Sequence, residues 1–139
     1  MKKELLKINQ IPAIIYGESS EKVYLFIHGK GGHKEEAEIF ANIACEKGYQ
    51  ILTIDLPGYG ERKDEIANFV PWKVVPELHI VMKFIQEKWN SVSLHATSFG
   101  AFCSLLAFQN TDLKSVLLVS PVIDMVKLIQ NMMLWANVT

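Results

Sequence analysis

The fold is decided by the stretch VSLHATSFGAFCSLLAF at positions 92–108. Its first five residues, up to Ala96, favour a β-strand, and the run from Phe99 onward favours a helix. Ser98 lies at the junction, with small residues two positions before it, Ala96, and two after it, Gly100. A serine on a sharp strand-to-helix turn needs small neighbours at these two positions because the adjoining backbones pass close to it. The stretch therefore predicts a nucleophile elbow in which alanine replaces the usual first glycine.

The same alternation of strand and helix extends along the whole chain. The segment 7–16 around Pro12 predicts an opening strand or hairpin. Continuous apolar runs then predict strands covered on both faces, and patterns of period 3.6 predict helices between them. We expect strands at 23–27, 49–56, 92–96 and 116–119, and helices at 35–47, 76–89, 99–108 and 125–136. Alternation of this kind predicts an α/β three-layer sandwich, with a mainly parallel, twisted sheet and helices on both faces.

Two of these helices carry specific expectations. In the first, Ala37, Phe40, Ile43, Ala44 and Lys47 are spaced to share one face. In the second, Pro76 suits the first helical position, because a proline there loses no intrahelical hydrogen bond.

The polar and glycine-rich segments follow the strands. These segments are 28–33, 55–62, Ser98 and 120–121, and each begins where a predicted strand ends. In open α/β sheets, ligands bind beyond the carboxyl ends of the strands. We therefore expect the four segments to meet in one crevice.

Composition narrows the class of protein. The 139 residues suit a single domain, 1–139, and 50% of them are hydrophobic, so a substantial core is available. The net charge of −1 gives no indication of nucleic-acid binding, which needs a basic stripe, and no apolar run is long enough to span a membrane. The N-terminus lacks the features of a signal peptide, and Cys45 and Cys103 are expected to be free thiols in the reducing cytoplasm. No spacing of cysteine and histidine suggests a metal site.

Four motifs together resemble the α/β-hydrolase superfamily, on its serine esterase and lipase-like side. HGKGG at 28–32 is similar to the oxyanion-hole loop after the third strand, and DLPGYG at 55–60 to the loop after the fourth. ATSFGA at 96–101 is similar to the nucleophile elbow after the fifth strand, and Ser120-Pro121 to the end of the sixth. The resemblance covers nearly the whole chain and implies an α/β-hydrolase-like domain that lacks the last strands of the fold.

This resemblance implies acyl transfer on a small-molecule substrate such as a carboxylic ester or thioester, without a cofactor. Ser98 is then the nucleophile, and the backbone N–H groups of Lys30 and Phe99 are the oxyanion-hole donors. Gly29, Gly31 and Tyr59 are the corresponding candidates for substrate binding.

The family's acid and histidine follow the serine along the chain, but no histidine follows Ser98 here. Asp124 stands where some family members place the acid, and its alternative role is the N-cap of a last helix beginning at Met125. His33, in the glycine-rich loop, is a remote candidate for the base. We therefore expect an incomplete hydrolase that is inactive alone, truncated after the sixth strand and the following helix, or else a degenerate relative or a chain completed by another.

A different class of function remains open, namely a non-catalytic scaffold that binds through the crevice or through an exposed sheet edge. A nucleotide-binding domain is disfavoured because no phosphate-binding glycine motif follows a strand. The apolar strand 116–119 and the apolar face of the last helix lack evident partners. They predict a homodimer or other self-association.

Overall fold

The computed structural model describes residues 1–119 of the chain. Its strands are β1 (Lys3–Ile8), β2 (Ile11–Tyr16), β3 (Lys22–Ile27), β4 (Gln50–Ile54), β5 (Ser91–Thr97) and β6 (Val116–Val119). Its α-helices are α1 (Ala37–Glu46), α2 (Pro71–Lys88) and α3 (Phe99–Ala107). Two 3-10 segments, Lys34–Glu36 and Gly60–Asn68, follow β3 and β4.

The six strands form one sheet in the order β1-β2-β4-β3-β5-β6. Strands β3, β4, β5 and β6 run parallel to their neighbours among themselves, whereas β1 and β2 form an antiparallel hairpin at one edge. The hairpin turn is made by Asn9 and Gln10, both at positive φ, which matches the twist of two strands joined by a two-residue loop. The predicted mainly parallel sheet and opening hairpin are thus confirmed, but the hairpin begins at Lys3 rather than at position 7, and Pro12 lies inside β2 rather than between two strands.

Helices cover both faces of the sheet, which gives the predicted three layers. On one face α1 packs on a cluster that includes Ile14, Tyr16, Phe26 and Ile51. On the other face α2 and α3 pack on a larger cluster, to which β3 contributes Val23, Leu25 and Ile27. Successive β3 side chains point to opposite faces, so a continuous apolar run is what two covered faces require.

The predicted face of α1 is wrong in part. The buried residues are Ala37, Ala41 and Ala44, whereas Ile43 is 56% exposed. Small side chains let the helix lie close to β4 and β2, and that close approach turns the bulkier isoleucine away from the sheet.

The predicted start of the second helix is also wrong. Helix α2 begins at Pro71, which takes the first helical position that the sequence assigned to Pro76. Pro76 instead lies inside the helix on its exposed side, where water can satisfy the carbonyl group that loses its partner. The predicted buried stripe is confirmed and includes Leu78, Val81 and Ile85.

Some expectations lie outside the described residues, namely Ser120-Pro121, Asp124 and the last helix. Within residues 1–119, no helix is both long and apolar enough to cross a membrane.

Candidate active site around Ser98

Ser98 occupies the junction between β5, which ends at Thr97, and α3, which begins at Phe99. Its backbone has φ 51° and ψ −120°, a combination that non-glycine residues rarely adopt and that costs on the order of 1–3 kcal/mol. Two backbone hydrogen bonds hold it there. Its N–H donates to the carbonyl of Val119 in β6 (3.0 Å), and its own carbonyl accepts from Phe102 N–H (3.1 Å).

The space around Ser98 tolerates only small residues. A Cβ added at Gly100 would overlap the carbonyl oxygen of His28, and Ala96 is fully buried. A Cβ added at Gly29 would lie 3.0 Å from both the Cβ of Ser98 and the carbonyl oxygen of Thr97. The loop after β3 is therefore pressed against the serine, and the small residues at 96 and 100 are sterically required.

Two backbone N–H groups are candidates for an oxyanion hole: that of Phe99, which directly follows Ser98, and that of Lys30, which follows the glycine packed against Ser98. Phe99 is the first residue of α3, so its N–H has no acceptor inside the helix and lies at the positive end of the helix dipole. Lys30 follows Gly29 in the loop, and within residues 1–119 its N–H donates to no backbone acceptor. Gly31 has φ +81°, and a Cβ there would meet nothing within 4 Å. The loop is therefore open at Gly31.

His28 is a structural residue of this loop. Its Nδ1 donates to the carbonyl of Gly29 (2.8 Å), and its Nε2 accepts the N–H of Leu56 (2.9 Å). This pair of bonds requires a neutral ring, and burial lowers the pKa of His28 in agreement with it. The ring joins the loop after β3 to the loop after β4 and has no nitrogen left for Ser98.

The remaining three histidines also have other surroundings. His33 Nδ1 lies 3.2 Å from Glu35 Oε1 on the surface, and His79 Nε2 lies 3.0 Å from the carbonyl of Ala107. His95 is buried on the α1 side of the sheet, stacked on Phe26 with ring centroids 4.6 Å apart. No hydrogen bond joins any of the four to Ser98 within the described part of the chain.

Beside Ser98 lies a chain of four half-buried rings, which we call the aromatic row: Tyr59, Phe69, Phe99 and Phe102. The ring centroids of Phe69 and Phe99 are 4.1 Å apart, and those of Tyr59 and Phe69 are 4.9 Å apart. Tyr59 also contacts the His28 ring edge-on at 5.8 Å. The sequence did not predict Phe69 as part of the site, because Phe69 lies in a polar segment without periodicity. Only the tertiary structure brings it into contact with Phe99.

A buried network of charges fastens the loops around the site, and sequence reasoning missed it as well. Lys34 Nζ contacts Asp55 Oδ2 (2.8 Å) and Glu61 Oε2 (2.7 Å), and Asp55 Oδ1 accepts the backbone N–H of Lys34 (2.8 Å). Burial alone would lower the pKa of Lys34, but its hydrogen bonds to Asp55 and Glu61 outweigh burial and raise it. Lys34 therefore stays protonated and ties the loop after β3 to the loop after β4.

Arg62 forms the second part of the network. It makes paired hydrogen bonds to Glu77 on α2 (2.7 and 2.8 Å) and to Glu65 (3.0 and 2.9 Å). It also donates to the carbonyl of Asp55 (3.2 Å). The 3-10 segment that precedes Phe69 is thereby held on both β4 and α2.

Two surface cavities, of about 340 and 490 Å³, lie at the opposite end of the strands from Ser98. Residues such as Gly17, Gly48 and Tyr49 line the first, and Ser20, Lys22 and Lys114 the second. Neither cavity extends to the loops around Ser98, so cavity volume alone does not identify the candidate active site. Within residues 1–119 no group of three or more histidine, cysteine or acidic side chains is placed to hold a metal ion.

Comparison with solved structures finds three informative likenesses. An epoxide hydrolase from Vigna radiata is 18% identical with a TM-score of 0.67, over 84% of this chain and 37% of that one. An esterase from Exiguobacterium antarcticum is 18% identical with a TM-score of 0.65, over 85% of this chain and 45% of that one. TT1662 from Thermus thermophilus is 19% identical with a TM-score of 0.72, over 95% of this chain and 66% of that one.

These likenesses show a shared fold, and this chain spans about two fifths of the length of the hydrolases that it matches first. No protein-family model matches the sequence. No curated protein matches it either.

Proposed function

Given the α/β-hydrolase fold of residues 1–119, we propose that the chain carries the nucleophile and the oxyanion hole of a serine hydrolase acting on esters, thioesters or related acyl compounds. The observation that carries the proposal is the backbone of Ser98, held at φ 51° between β5 and α3 with Gly29 pressed against it. Such strain persists only where the surrounding structure enforces it, and it clusters at functional sites.

In the proposed reaction, Ser98 Oγ attacks the carbonyl carbon of the substrate and loses its proton to a base. The carbonyl oxygen becomes an oxyanion between the N–H groups of Lys30 and Phe99. Collapse of this intermediate expels the alcohol or thiol, and water then hydrolyses the acyl-serine. We propose that Gly29, Gly31 and Tyr59 border the substrate carbonyl; Gly29 packs against Ser98, and Tyr59 contacts the ring of His28.

Residues 1–119 do not supply the base that this reaction needs. The four histidines have other surroundings, and a serine hydroxyl without a base is a poor nucleophile at neutral pH. The remaining parts of such a site retain about 10³–10⁴ of acceleration over water. We therefore propose that Ser98 in this chain reacts slowly and selectively and that efficient turnover requires a histidine from outside the described residues.

A fluorophosphonate probe tests the proposal, because the serine oxygen attacks its phosphorus with loss of fluoride and the phosphoryl oxygen then occupies the oxyanion hole. We expect slow labelling of one serine per chain, located at Ser98 by mass spectrometry. Ser98→Ala abolishes the labelling, whereas the matched variant Ser19→Ala, on the exposed surface, leaves it unchanged. Absence of labelling, or equal labelling of Ser98→Ala, contradicts the proposal and favours the non-catalytic scaffold.

The oxyanion hole has its own test at Lys30. Lys30→Pro removes the backbone N–H, while Lys30→Ala keeps it and removes only the exposed side chain. Loss of one oxyanion donor costs about 10²–10³ in rate. We expect a loss of that order for Lys30→Pro and a rate within a few-fold of wild type for Lys30→Ala, with folding of both checked by circular dichroism. Equal rates for the two variants would exclude the Lys30 N–H from the hole.

A further inference from the structure

We propose that the aromatic row binds an aryl group of the substrate, with Phe69 as the residue that sets this specificity. The inference rests on the proposed function in one respect, namely that the bound molecule is an acyl compound whose carbonyl lies at Ser98. It adds the chemical class of the group that lies beside the carbonyl.

The first argument is position. Phe99 follows Ser98 directly, so the row begins at the reacting residue. Phe69 packs against Phe99 in a tilted contact, with centroids 4.1 Å apart and an interplanar angle of 37°, and Tyr59 contacts Phe69 edge-on at 77°. A flat group attached to a carbonyl at Ser98 would meet the residue Phe99 first, and tilted and edge-on contacts like those within the row are arrangements that aromatic pairs adopt.

The second argument is exposure. Tyr59, Phe69, Phe99 and Phe102 are all half-buried, so each residue packs against its neighbours and keeps part of its surface accessible. A group of partly exposed aromatic side chains beside candidate catalytic groups is typical of a small-molecule site.

The third argument is charge. The buried charges close to Tyr59 and Phe69 along the chain are engaged with other charged side chains, whereas Lys63, Asp64 and Lys73 on the same stretch are exposed to water. Asp55 accepts from Lys34, and Arg62 is occupied by Glu65 and Glu77. The buried charges of this segment are thus compensated by their partners, and the rings contribute apolar surface, which suits a neutral aryl group.

The fourth argument is rigidity. Phe69 ends a segment that Arg62 ties to α2 and to the carbonyl of Asp55, and its own N–H donates to the carbonyl of Ile66 (3.1 Å). A ring that is already ordered loses little conformational entropy when a ligand stacks on it. The row is thus prepared for binding without rearrangement.

The test compares two esters of similar apolar size, 2-naphthyl acetate and cyclohexylmethyl acetate, titrated by NMR into the full chain carrying Ser98→Ala. This variant prevents turnover, so the readout is binding alone. We expect the naphthyl ester to bind about three- to tenfold more tightly, with the shifts centred on the row. Equal affinities, absence of binding, or shifts centred elsewhere overturn the proposal.

Variants of Phe69 separate a binding role from a structural one. Phe69→Leu keeps an apolar side chain and should abolish the preference for the naphthyl ester, whereas Phe69→Tyr keeps the ring and should retain it. Phe84→Leu is the matched control, since Phe84 is a half-buried ring that packs near Trp89 at the far end of α2. A preference that survives in Phe69→Leu, or that is lost equally in Phe84→Leu, overturns the proposal.

Failure of this inference is distinguishable from failure of the proposed function. Labelling of Ser98 by a small ethyl fluorophosphonate in the wild-type chain reports on the nucleophile, whereas the ester preference measured by NMR in Ser98→Ala reports on the aromatic row. Labelling without an aryl preference rejects the aromatic row alone. An aryl preference without labelling rejects the nucleophile alone.

Discussion

Lys34 Nζ lies 2.8 Å from Asp55 Oδ2, and neither side chain exposes more than 2% of its surface. The two residues are 21 positions apart, on loops that follow neighbouring strands, β3 and β4. Their contact joins the loop that carries Lys30 to the loop that carries Tyr59. The geometry of the candidate site therefore depends on a buried ion pair.

The ion pair predicts a large loss of stability on removal of its cation. Lys34→Met leaves the buried Asp55 carboxylate with backbone donors alone, and breaking a buried pair in this way costs about 3–5 kcal/mol. Urea unfolding at neutral pH measures the change. The matched control is Lys30→Met, the same substitution at an exposed lysine, for which we expect a change within about 0.5 kcal/mol. Equal effects of the two substitutions would contradict a stabilising role for the pair.

The strained backbone of Ser98 predicts a gain in stability on substitution by glycine. Ser98→Gly relieves the positive-φ strain but also adds conformational entropy to the unfolded chain, so we expect a net gain of about 1 kcal/mol. Ser98→Ala keeps the Cβ and therefore the strain, and its free energy of unfolding should stay close to that of wild type. Thermal or urea unfolding of the wild type and the two variants measures these differences in the free energy of unfolding. A glycine variant less stable than the alanine variant would show that the conformation is not costly.

The buried His95 predicts stability that falls as the pH is lowered. Burial lowers the pKa values of His95 and His28, so both rings stay neutral in the folded protein while the unfolded chain takes up protons below about pH 6.5. Unfolded protein then binds more protons than folded protein, and stability declines by up to about 1.4 kcal/mol per pH unit for each ring.

His95→Phe isolates one of these rings. The Nδ1 of His95 has no hydrogen-bond partner in the part of the chain that the structure describes, and the ring lies between Phe26 and Phe40. We expect the phenylalanine to raise stability at pH 7 by about 1 kcal/mol and to reduce the slope between pH 6.5 and 5. Urea unfolding at several pH values provides both quantities. An unchanged slope would mean that His95 is protonated in the folded state.

The apolar surface of β6 predicts self-association. Val116, Leu117 and Val119 each expose at least 43% of their surface, and β6 is the last strand of the sheet in residues 1–119. An exposed apolar edge strand is a template for pairing with a second chain. Sedimentation velocity over a micromolar concentration series should show dimers, reduced by Leu117→Lys but not by Ile39→Lys on α1. A monomer at all concentrations, without binding of an apolar dye, would refute this prediction.

Much of the fold was predictable because strong local patterns agree with it. The apolar runs at 23–27, 92–96 and 116–119 are strands, and the small residues around Ser98 reflect a steric need that operates within a few positions along the chain. The predictions were wrong where several helix faces or start positions fit the local pattern equally well and tertiary packing determines which one forms. Helix α1 turned its alanines rather than Ile43 to the sheet, and Pro71 rather than Pro76 began α2.

By itself the sequence determined the order of the strands and helices, the place of Ser98 at a strand-to-helix junction, and the gathering of the polar loops at one end of a parallel sheet. These follow from periodicity and turn chemistry, which act over short distances. Only the tertiary structure decided that Phe69 packs against Phe99, that Lys34 pairs with Asp55, and that His28 is held by Gly29 and Leu56. Such contacts join residues from separate loops, and their energies depend on burial and distance, which no local pattern specifies.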